Sequence, residues 1–148
     1  MKIPHLKVLR ADEGIQFSVF GSAMTYKATA EDTGGAFSLA LETTAPHGGL
    51  PLHVHHREDE AMCILEGEYE IQCGDQVFRA GPGTFVFLPR DVSNRYQNLG
   101  NSPAKFLHIT TPGGFEQVVQ RTSLLMNGGH PDMQKVKDVA HDHGIDFV

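Results

Sequence analysis

The stretch PLHVHHREDEAMCILEGEYEIQC, residues 51–73, decides the fold that the sequence predicts. Its apolar residues recur at about every second position, and acidic residues and Gly67 interrupt them. A period of two is typical of β-strands, because successive side chains of a strand point to opposite faces of the sheet. Together with the residue before it, the stretch predicts three short strands, over residues 50–55, 60–65 and 68–73.

Similar runs fill the chain up to about residue 111, and each is bounded by Gly, Pro, Asn or Asp. These further runs cover residues 15–20, 36–41, 76–80, 84–89, 94–98 and 104–110. Short strands separated by frequent turn signals indicate a β-sandwich or barrel. The sixteen glycines and eight prolines agree with many turns. The sequence therefore predicts an all-β fold.

The pattern changes after Pro112. Residues 113–126 are typical of a short amphipathic helix. Pro131 and Gly144 bracket a second helical pattern of about three turns, since proline is common at the first turn of a helix and glycine just past the last. A short C-terminal helical segment is therefore expected after the strands.

The length favours one domain. A chain of 148 residues is large enough for a single core. We expect one domain over residues 1–148, with a barrel core over about 15–111 and a helical tail over about 113–148. Only Cys63 and Cys73 are present, so no disulfide framework is predicted.

Composition excludes several kinds of partner. The net charge is −6 and no basic cluster stands out, which argues against a nucleic-acid partner. No apolar run is long enough for a transmembrane helix, so no membrane partner is expected. The N-terminal segment MKIPHLKVLRADEG is too polar for a signal peptide, and a cytoplasmic location is expected.

The three histidines of residues 53–56 raise the question of a metal site. His53 and His55 lie two positions apart, so on a strand they share one face with Cα atoms about 6.6 Å apart, and both rings can reach one ion. His56 points to the opposite face. Glu60 opens the next strand and can swing its carboxylate back to the same ion. The alternative is a solvated polar turn.

These residues resemble the first motif of the cupin superfamily. That motif has a glycine, a short spacer, two histidines in H-x-H, a glutamate and a second glycine. The matching positions are Gly48 or Gly49, His53, His55, Glu60 and Gly67. The spacer after Gly48 is one residue shorter than usual.

The second cupin motif is present with its usual spacing, but two of its residues differ. Its positions are occupied by Gly83, Pro89, Asp91, Asn94 and Asn98. Asp91 replaces a turn glycine, which is tolerable because aspartate can adopt the left-handed conformation. Asn94 replaces the histidine that would be the fourth metal ligand.

The resemblance covers roughly residues 34–120 and is strongest to small, single-domain bacterial cupins of the quercetin dioxygenase-like kind. It implies a double-stranded β-helix, or jelly-roll barrel, with a divalent transition metal inside. Fe, Mn, Ni, Zn and Cu are all found in such proteins. It also implies a homodimer and a small-molecule substrate or ligand.

Asn94 changes what the site can hold. A neutral amide oxygen is a harder and weaker ligand than imidazole, so the site is weakened for Zn, Cu or Ni. His53, His55 and Glu60 alone still form a two-histidine, one-carboxylate set, which suits non-haem Fe(II) and oxygen chemistry. The alternative is a cupin that binds a small molecule without metal.

The strand faces suggest further pocket residues. A tight turn at residues 66–67 predicts that the strands beside it pair as a hairpin. In that register Met62, Tyr69 and Cys73 share the face of the metal ligands, with plain core packing as the alternative. Cys63 then lies on the opposite face, so two free thiols are expected.

Two more residues complete the predicted pocket. Tyr96 lies two positions after Asn94 and shares its face, so its phenol can hydrogen-bond a ligand or simply pack in the barrel. His108 points inward if Phe106 does, and outward if Leu107 and Ile109 face the core. The periodicity leaves both orientations open.

The resemblance favours an enzyme that oxidises a small aromatic or enol-type molecule with O₂, in which Glu60 serves as ligand and general base. A metal-dependent isomerase, cyclase or decarboxylase is the nearest alternative, and a metal-free binding module is the next. An interaction role, as in larger regulators, ranks last. Fold alone does not fix the reaction.

Overall fold

The computed structural model describes residues 5–127 and 130–148, so the first four residues of the polar N-terminal segment lie outside the description. The strands in chain order are β1 (Ile15–Val19), β2 (Ser22–Ala28), β3 (Ser38–Thr44), β4 (Gly49–His55), β5 (Asp59–Glu66), β6 (Tyr69–Cys73), β7 (Gln76–Ala80), β8 (Phe85–Leu88), β9 (Asn94–Asn98), β10 (Ala104–Thr111) and β11 (Ile145–Phe147). The helices are α1 (Ala30–Thr33), α2 (Phe115–Met126) and α3 (Met133–Asp142).

The strands form two antiparallel sheets. One has six strands in the order β1-β2-β3-β10-β5-β8, and the other has five in the order β11-β4-β9-β6-β7. Inward side chains alternate with outward ones along β3, β5 and β10. The predicted all-β jelly roll with a short C-terminal helical segment is therefore confirmed.

The core lies between the sheets. Its largest fully buried side chains include Tyr69, Phe106, Met62, Ile64 and Ile71. The Phe106 ring stands edge-on to Tyr69, with centroids 5.3 Å apart. Alternation along each strand places these residues inside, because every second side chain meets the facing sheet.

The hairpin predicted at residues 66–67 is wrong. Strand β5 pairs with β10 and β8, whereas β6 pairs with β9 and β7, so the chain crosses from one sheet to the other at this turn. Gly67 has φ +83°, and a Cβ there would lie 2.5 Å from the Cβ of Ala104. Tight packing at a crossover, rather than a hairpin, therefore explains the glycine.

Although the register was wrong, the assignment of faces survives, because alternation does not depend on the strand partner. Met62 and Tyr69 are buried in the core cluster, and Cys73 packs against it. Cys63 lies on β5 and Cys73 on β6, in different sheets, and both are free thiols.

The second glycine of the pair at 48–49 has a steric role. A Cβ on Gly49 would lie 2.0 Å from the carbonyl oxygen of Tyr96, on the neighbouring strand β9. Only glycine allows β4 and β9 to approach this closely. The pairing of β4 with β9 is also irregular between Leu50 and His53, so Leu50 reaches the interior instead of the opposite face.

The C-terminal segment returns to the barrel. Asp132 caps α3 by accepting hydrogen bonds from the backbone N–H groups of Gln134 and Lys135. Strand β11 then pairs with β4, with Ile145 opposite His55 and Phe147 opposite His53. We call α2, α3 and β11 together the cap. Within the described residues no helix is long and apolar enough to cross a bilayer.

The start of the cap is fixed by Glu116. Its side chain accepts hydrogen bonds from the Ala30 N–H and from the Ser38 hydroxyl. Ser38 also accepts a hydrogen bond from the N–H of Gly114, just before α2. These bonds join the first turn of α2 to the six-stranded sheet, so the cap is held over one end of the barrel.

Candidate metal centre

Three predicted ligands meet inside the barrel. His53 and His55 project from the inner face of β4, and Glu60 projects from the start of β5. All three side chains are buried. One donor atom from each lies within 4.8 Å of those from the other two, so the three could hold a metal ion. The two-residue spacing of the histidines produces this convergence, since both rings leave the same face.

Hydrogen bonds fix the tautomers of both rings. His53 Nδ1 lies 2.8 Å from the Pro51 carbonyl oxygen, and His55 Nδ1 lies 3.1 Å from a carboxylate oxygen of Glu58. Both partners can only accept at neutral pH, so each Nδ1 carries the hydrogen. Each Nε2 of the neutral rings therefore presents a lone pair to the centre, as metal-binding histidines do.

One atom in the centre has no partner. His53 Nε2 is buried, and no group among the described residues forms a hydrogen bond with it. A buried nitrogen of this kind is costly unless something binds it. Nearby, His55 Nε2 lies 3.2 Å from a carboxylate oxygen of Glu60. An ion between the three side chains would satisfy the free nitrogen, so the donor set fits a divalent transition metal.

The electrostatics of His53 and Glu60 favour the protonation states that metal ligands need. Burial lowers the pKa of His53 to about 4, so its ring is neutral at pH 7. Burial by itself would raise the pKa of Glu60, but the nearby His55 and His108 hold it well below its usual range. Burial also lowers the pKa of His55, and the carboxylates of Glu60 and Glu58 outweigh this and raise it. Glu60 is therefore an anion ready to bind a cation.

Asn94 and His108 both contact the glutamate. Asn94 is buried on β9, and its Nδ2 donates to one oxygen of Glu60 at 3.2 Å. His108 lies inward on β10 between buried Phe106 and Thr110, and its Nε2 is 2.6 Å from the other oxygen of Glu60. The first of the two orientations considered for His108 is the one observed. In this arrangement Asn94 orients the carboxylate, and its role as a fourth ligand stays a prediction.

The centre opens onto a cavity of about 60 Å³. Two of the predicted pocket residues, Tyr96 and His108, line this cavity. Met62 and Tyr69 do not line it, because they lie deeper in the core between the sheets. Cys73 does not line it either, since it is only partly buried and packs against the edge of that core. The Tyr69 hydroxyl donates to Thr44 at 2.9 Å, so core packing describes this residue better than ligand contact.

Sequence reasoning missed two acidic residues here. Glu58, between β4 and β5, was not among the predicted site residues, but it is buried and accepts a hydrogen bond from His55. Glu42 lies on the inner face of β3 and lines the cavity. Alternation with Ser38 and Ala40 was a signal that could have placed Glu42 inside. Nothing in the local pattern marks Glu58.

Removing the partner of His55 is expected to weaken metal binding. Glu58→Ala should lower the affinity by about 10–100-fold, because the ring loses the acceptor that fixes its orientation. Competition against a chromophoric chelator measures this. Glu58→Gln keeps an acceptor oxygen and is the matched control. Wild-type affinity in Glu58→Ala would show that Glu58 does not support the ligand.

Restoring an imidazole at position 94 is expected to tighten metal binding. Asn94→His should raise the affinity by on the order of tenfold, since imidazole is the better ligand for Zn, Cu, Ni and Fe. The same competition measures it, and Gln97→His, an exposed position on β9, is the control. Unchanged affinity in Asn94→His would mean that residue 94 does not face the ion.

Part of the chain matches a known protein family. Residues 40–110 match the family model described as the cupin domain. The alginate biosynthesis protein AlgA of Pseudomonas putida is 26% identical over 106 residues, which are 66% of this chain and 22% of that protein. Quercetin 2,3-dioxygenase of Bacillus subtilis is 26% identical over 96 residues, which are 65% of this chain and 28% of that protein. The chain thus spans less than a third of either curated relative.

A solved structure supports the fold. The crystal structure of a predicted oxalate decarboxylase from Thermotoga maritima superposes with a TM-score of 0.66 at 22% identity, covering 72% of this chain and 99% of that one. At this identity the likeness concerns the fold. The family match, the two facing sheets and the convergent histidine and glutamate donors together identify the chain as a member of the cupin superfamily.

Proposed function

We propose that this protein is a metal-dependent enzyme that oxidises a small organic molecule with O₂, in the manner of a dioxygenase. The observation that carries the proposal is the convergence of His53, His55 and Glu60 on the wall of a largely apolar cavity. Two histidines and one carboxylate leave coordination positions free for substrate and O₂, which suits non-haem Fe(II). The similarity to a quercetin dioxygenase agrees with this reaction class.

When bound, the metal would supply Lewis acidity and, as iron, redox chemistry. The protein supplies the surroundings of the metal and the orientation of its ligands. Its cap lines the cavity with apolar side chains, and Asn94 and His108 fix the orientation of Glu60. The low pKa of Glu60 makes this carboxylate a better ligand than proton acceptor. We therefore assign it to metal binding first, and a general-base role stays a prediction.

Two alternatives have specific support. The fold is shared with a predicted oxalate decarboxylase, and a metal-dependent decarboxylase, isomerase or cyclase needs the same three donors. Asn94, which stands where the cupin motif has a metal-binding histidine, favours a metal-free binding module. The homodimer and the cytoplasmic location stay predictions.

Oxygen uptake tests the proposal. The protein is loaded with Fe(II) without air and then mixed with O₂ and a panel of phenols, catechols and enolised diketones. We expect uptake with at least one compound, incorporation of ¹⁸O from ¹⁸O₂ into the product, and loss of both in Glu60→Ala. Substrate conversion without O₂ uptake would contradict oxidation and would indicate isomerisation, cyclisation or decarboxylation instead. Failure to load any of Fe(II), Mn(II), Ni(II), Zn(II) or Cu(II) would favour the binding module.

A further inference from the structure

The cavity beside the metal centre has two chemically different sides. Its polar side carries the three candidate ligands together with Glu42, Tyr96 and His108. Its other side is mostly apolar and comes largely from the cap, through Phe115, Val118, Val119, Val136, Ala140, Ile145 and Phe147. A ligand in this space therefore meets hydrocarbon over most of its surface and polar groups at one end.

Charge selects among ligands. Among the described residues that line the cavity there is no lysine or arginine, whereas two glutamates, Glu42 and Glu60, face into it. An anion buried without a cationic partner pays a large desolvation cost. Phosphorylated and dicarboxylate compounds normally require such partners. The histidines of the lining do not replace these partners, because His55 and His108 already face Glu60 and burial keeps His53 neutral. The lining of the metal-free cavity therefore disfavours such anions and favours uncharged molecules.

Glu42 is a buried carboxyl group in the cavity that is not one of the candidate metal ligands. Its side chain is 2% exposed, and one carboxyl oxygen accepts a hydrogen bond from the Tyr96 hydroxyl. Burial raises the pKa of Glu42, whereas the pKa of Glu60 is lowered. Two carboxyl groups with opposite shifts generally take different roles. Glu60 suits a cation, and a protonated Glu42 can donate a hydrogen bond.

We propose that the cavity binds a small, uncharged, largely apolar molecule with a hydroxyl or carbonyl oxygen at one end, and that Glu42 contacts this oxygen. The proposal deepens the proposed function, since the same cavity serves the metal centre. The volume of about 60 Å³ is small. A cavity measured in this way needs about 10–15 Å³ to hold one water molecule, so this one has room for a few, and the ligand has few heavy atoms unless cap side chains shift.

Three probe molecules with six non-hydrogen atoms each test whether the cavity prefers uncharged ligands to anions. They are 3-hydroxybutan-2-one, pyruvate and oxalate, with charges of 0, −1 and −2 at neutral pH. Amide NMR titrations of the full chain, both as purified and stripped of metal, give the affinities. In the stripped protein the uncharged probe should bind at least about tenfold more tightly than oxalate. Oxalate binding as tightly as the uncharged probe there would overturn the proposal.

Variants of Glu42 test the contact. Glu42→Leu should weaken the uncharged probe by about tenfold, because the ligand oxygen loses its hydrogen bond. Glu42→Gln still offers an amide N–H and should keep binding within about threefold. The exposed Glu66→Ala is the control. Equal binding by wild type and Glu42→Leu would contradict the contact.

The charge series and the variants are both measured in stripped protein. Failure to load metal, or to consume O₂, would therefore defeat the proposed oxidation without changing the expected order of the probes. Conversely, preferential oxalate binding in stripped protein would defeat the ligand class while leaving metal loading intact. The two proposals can thus fail separately.

Discussion

His53→Ala is expected to abolish stoichiometric metal binding. The wild-type chain, purified without chelator, should carry about one metal ion, and the variant less than roughly a tenth, since losing a direct ligand should cost more than the 10–100-fold typical of an outer partner. The substitution removes an Nε2 that is buried and has no hydrogen-bond partner among the described residues. Plasma emission spectrometry gives the metal content, and circular dichroism verifies the fold.

His56→Ala is the matched control. His56 is the adjacent histidine, but its side chain is 45% exposed and bonds Asp91 and Asp146 at the surface. Its removal should leave the metal content unchanged. If both variants kept their metal, the ion would be held elsewhere. If both lost it, the loss would reflect a general effect on the fold rather than a ligand.

Phe106→Ala is expected to produce the largest loss of stability. Phe106 is fully buried at the centre of the core, and its ring centroid lies 5.2 Å from Tyr96 and 6.0 Å from His108. Truncating such a ring removes its buried area and leaves a cavity, which costs about 3–5 kcal/mol in the free energy of unfolding. Urea denaturation followed by circular dichroism measures this.

The control for that loss lies on the outside of the same sheet. Phe85 is 65% exposed on β8, so Phe85→Ala should change the free energy of unfolding by no more than about 0.5 kcal/mol. Comparable losses in the two variants would mean that Phe106 is not central to the core. Because Phe106 supports His108, weaker metal binding is also expected in Phe106→Ala.

Local patterns predicted most strands, because the alternation of apolar and polar residues can be seen within each strand's own sequence. Strand β2, with the sequence SAMTYKA, was missed since only Met24 and Tyr26 are large apolar residues on its buried face. Strand β11 has three residues, too few to show a period, and it forms because the cap returns to pair with β4. Strand partners depend on contacts between distant segments, which explains the error at residues 66–67.

In the candidate site, too, some residues could be placed from the local sequence and others only from contacts between distant segments. His53 and His55 could be placed on one face from their spacing alone, and Asp91 has φ +66°, in the left-handed region expected where it replaces glycine. Glu58 and Glu42 reach the site through tertiary packing, from a turn and from the facing sheet, and no short motif records that. The apolar side of the cavity comes from helices whose docking position the sequence does not specify.

The cap also affects the kinetics of metal exchange. All three candidate ligands lie within residues 53–60, whereas Phe147, on the last strand of the cap, packs against the His53 ring with centroids 6.2 Å apart. Because cap side chains line one side of the cavity, an ion held there exchanges past them, so its lifetime in the protein depends on motion of the cap as well as on ligand strength. A site with only three protein donors can therefore retain its ion far longer than its equilibrium affinity suggests.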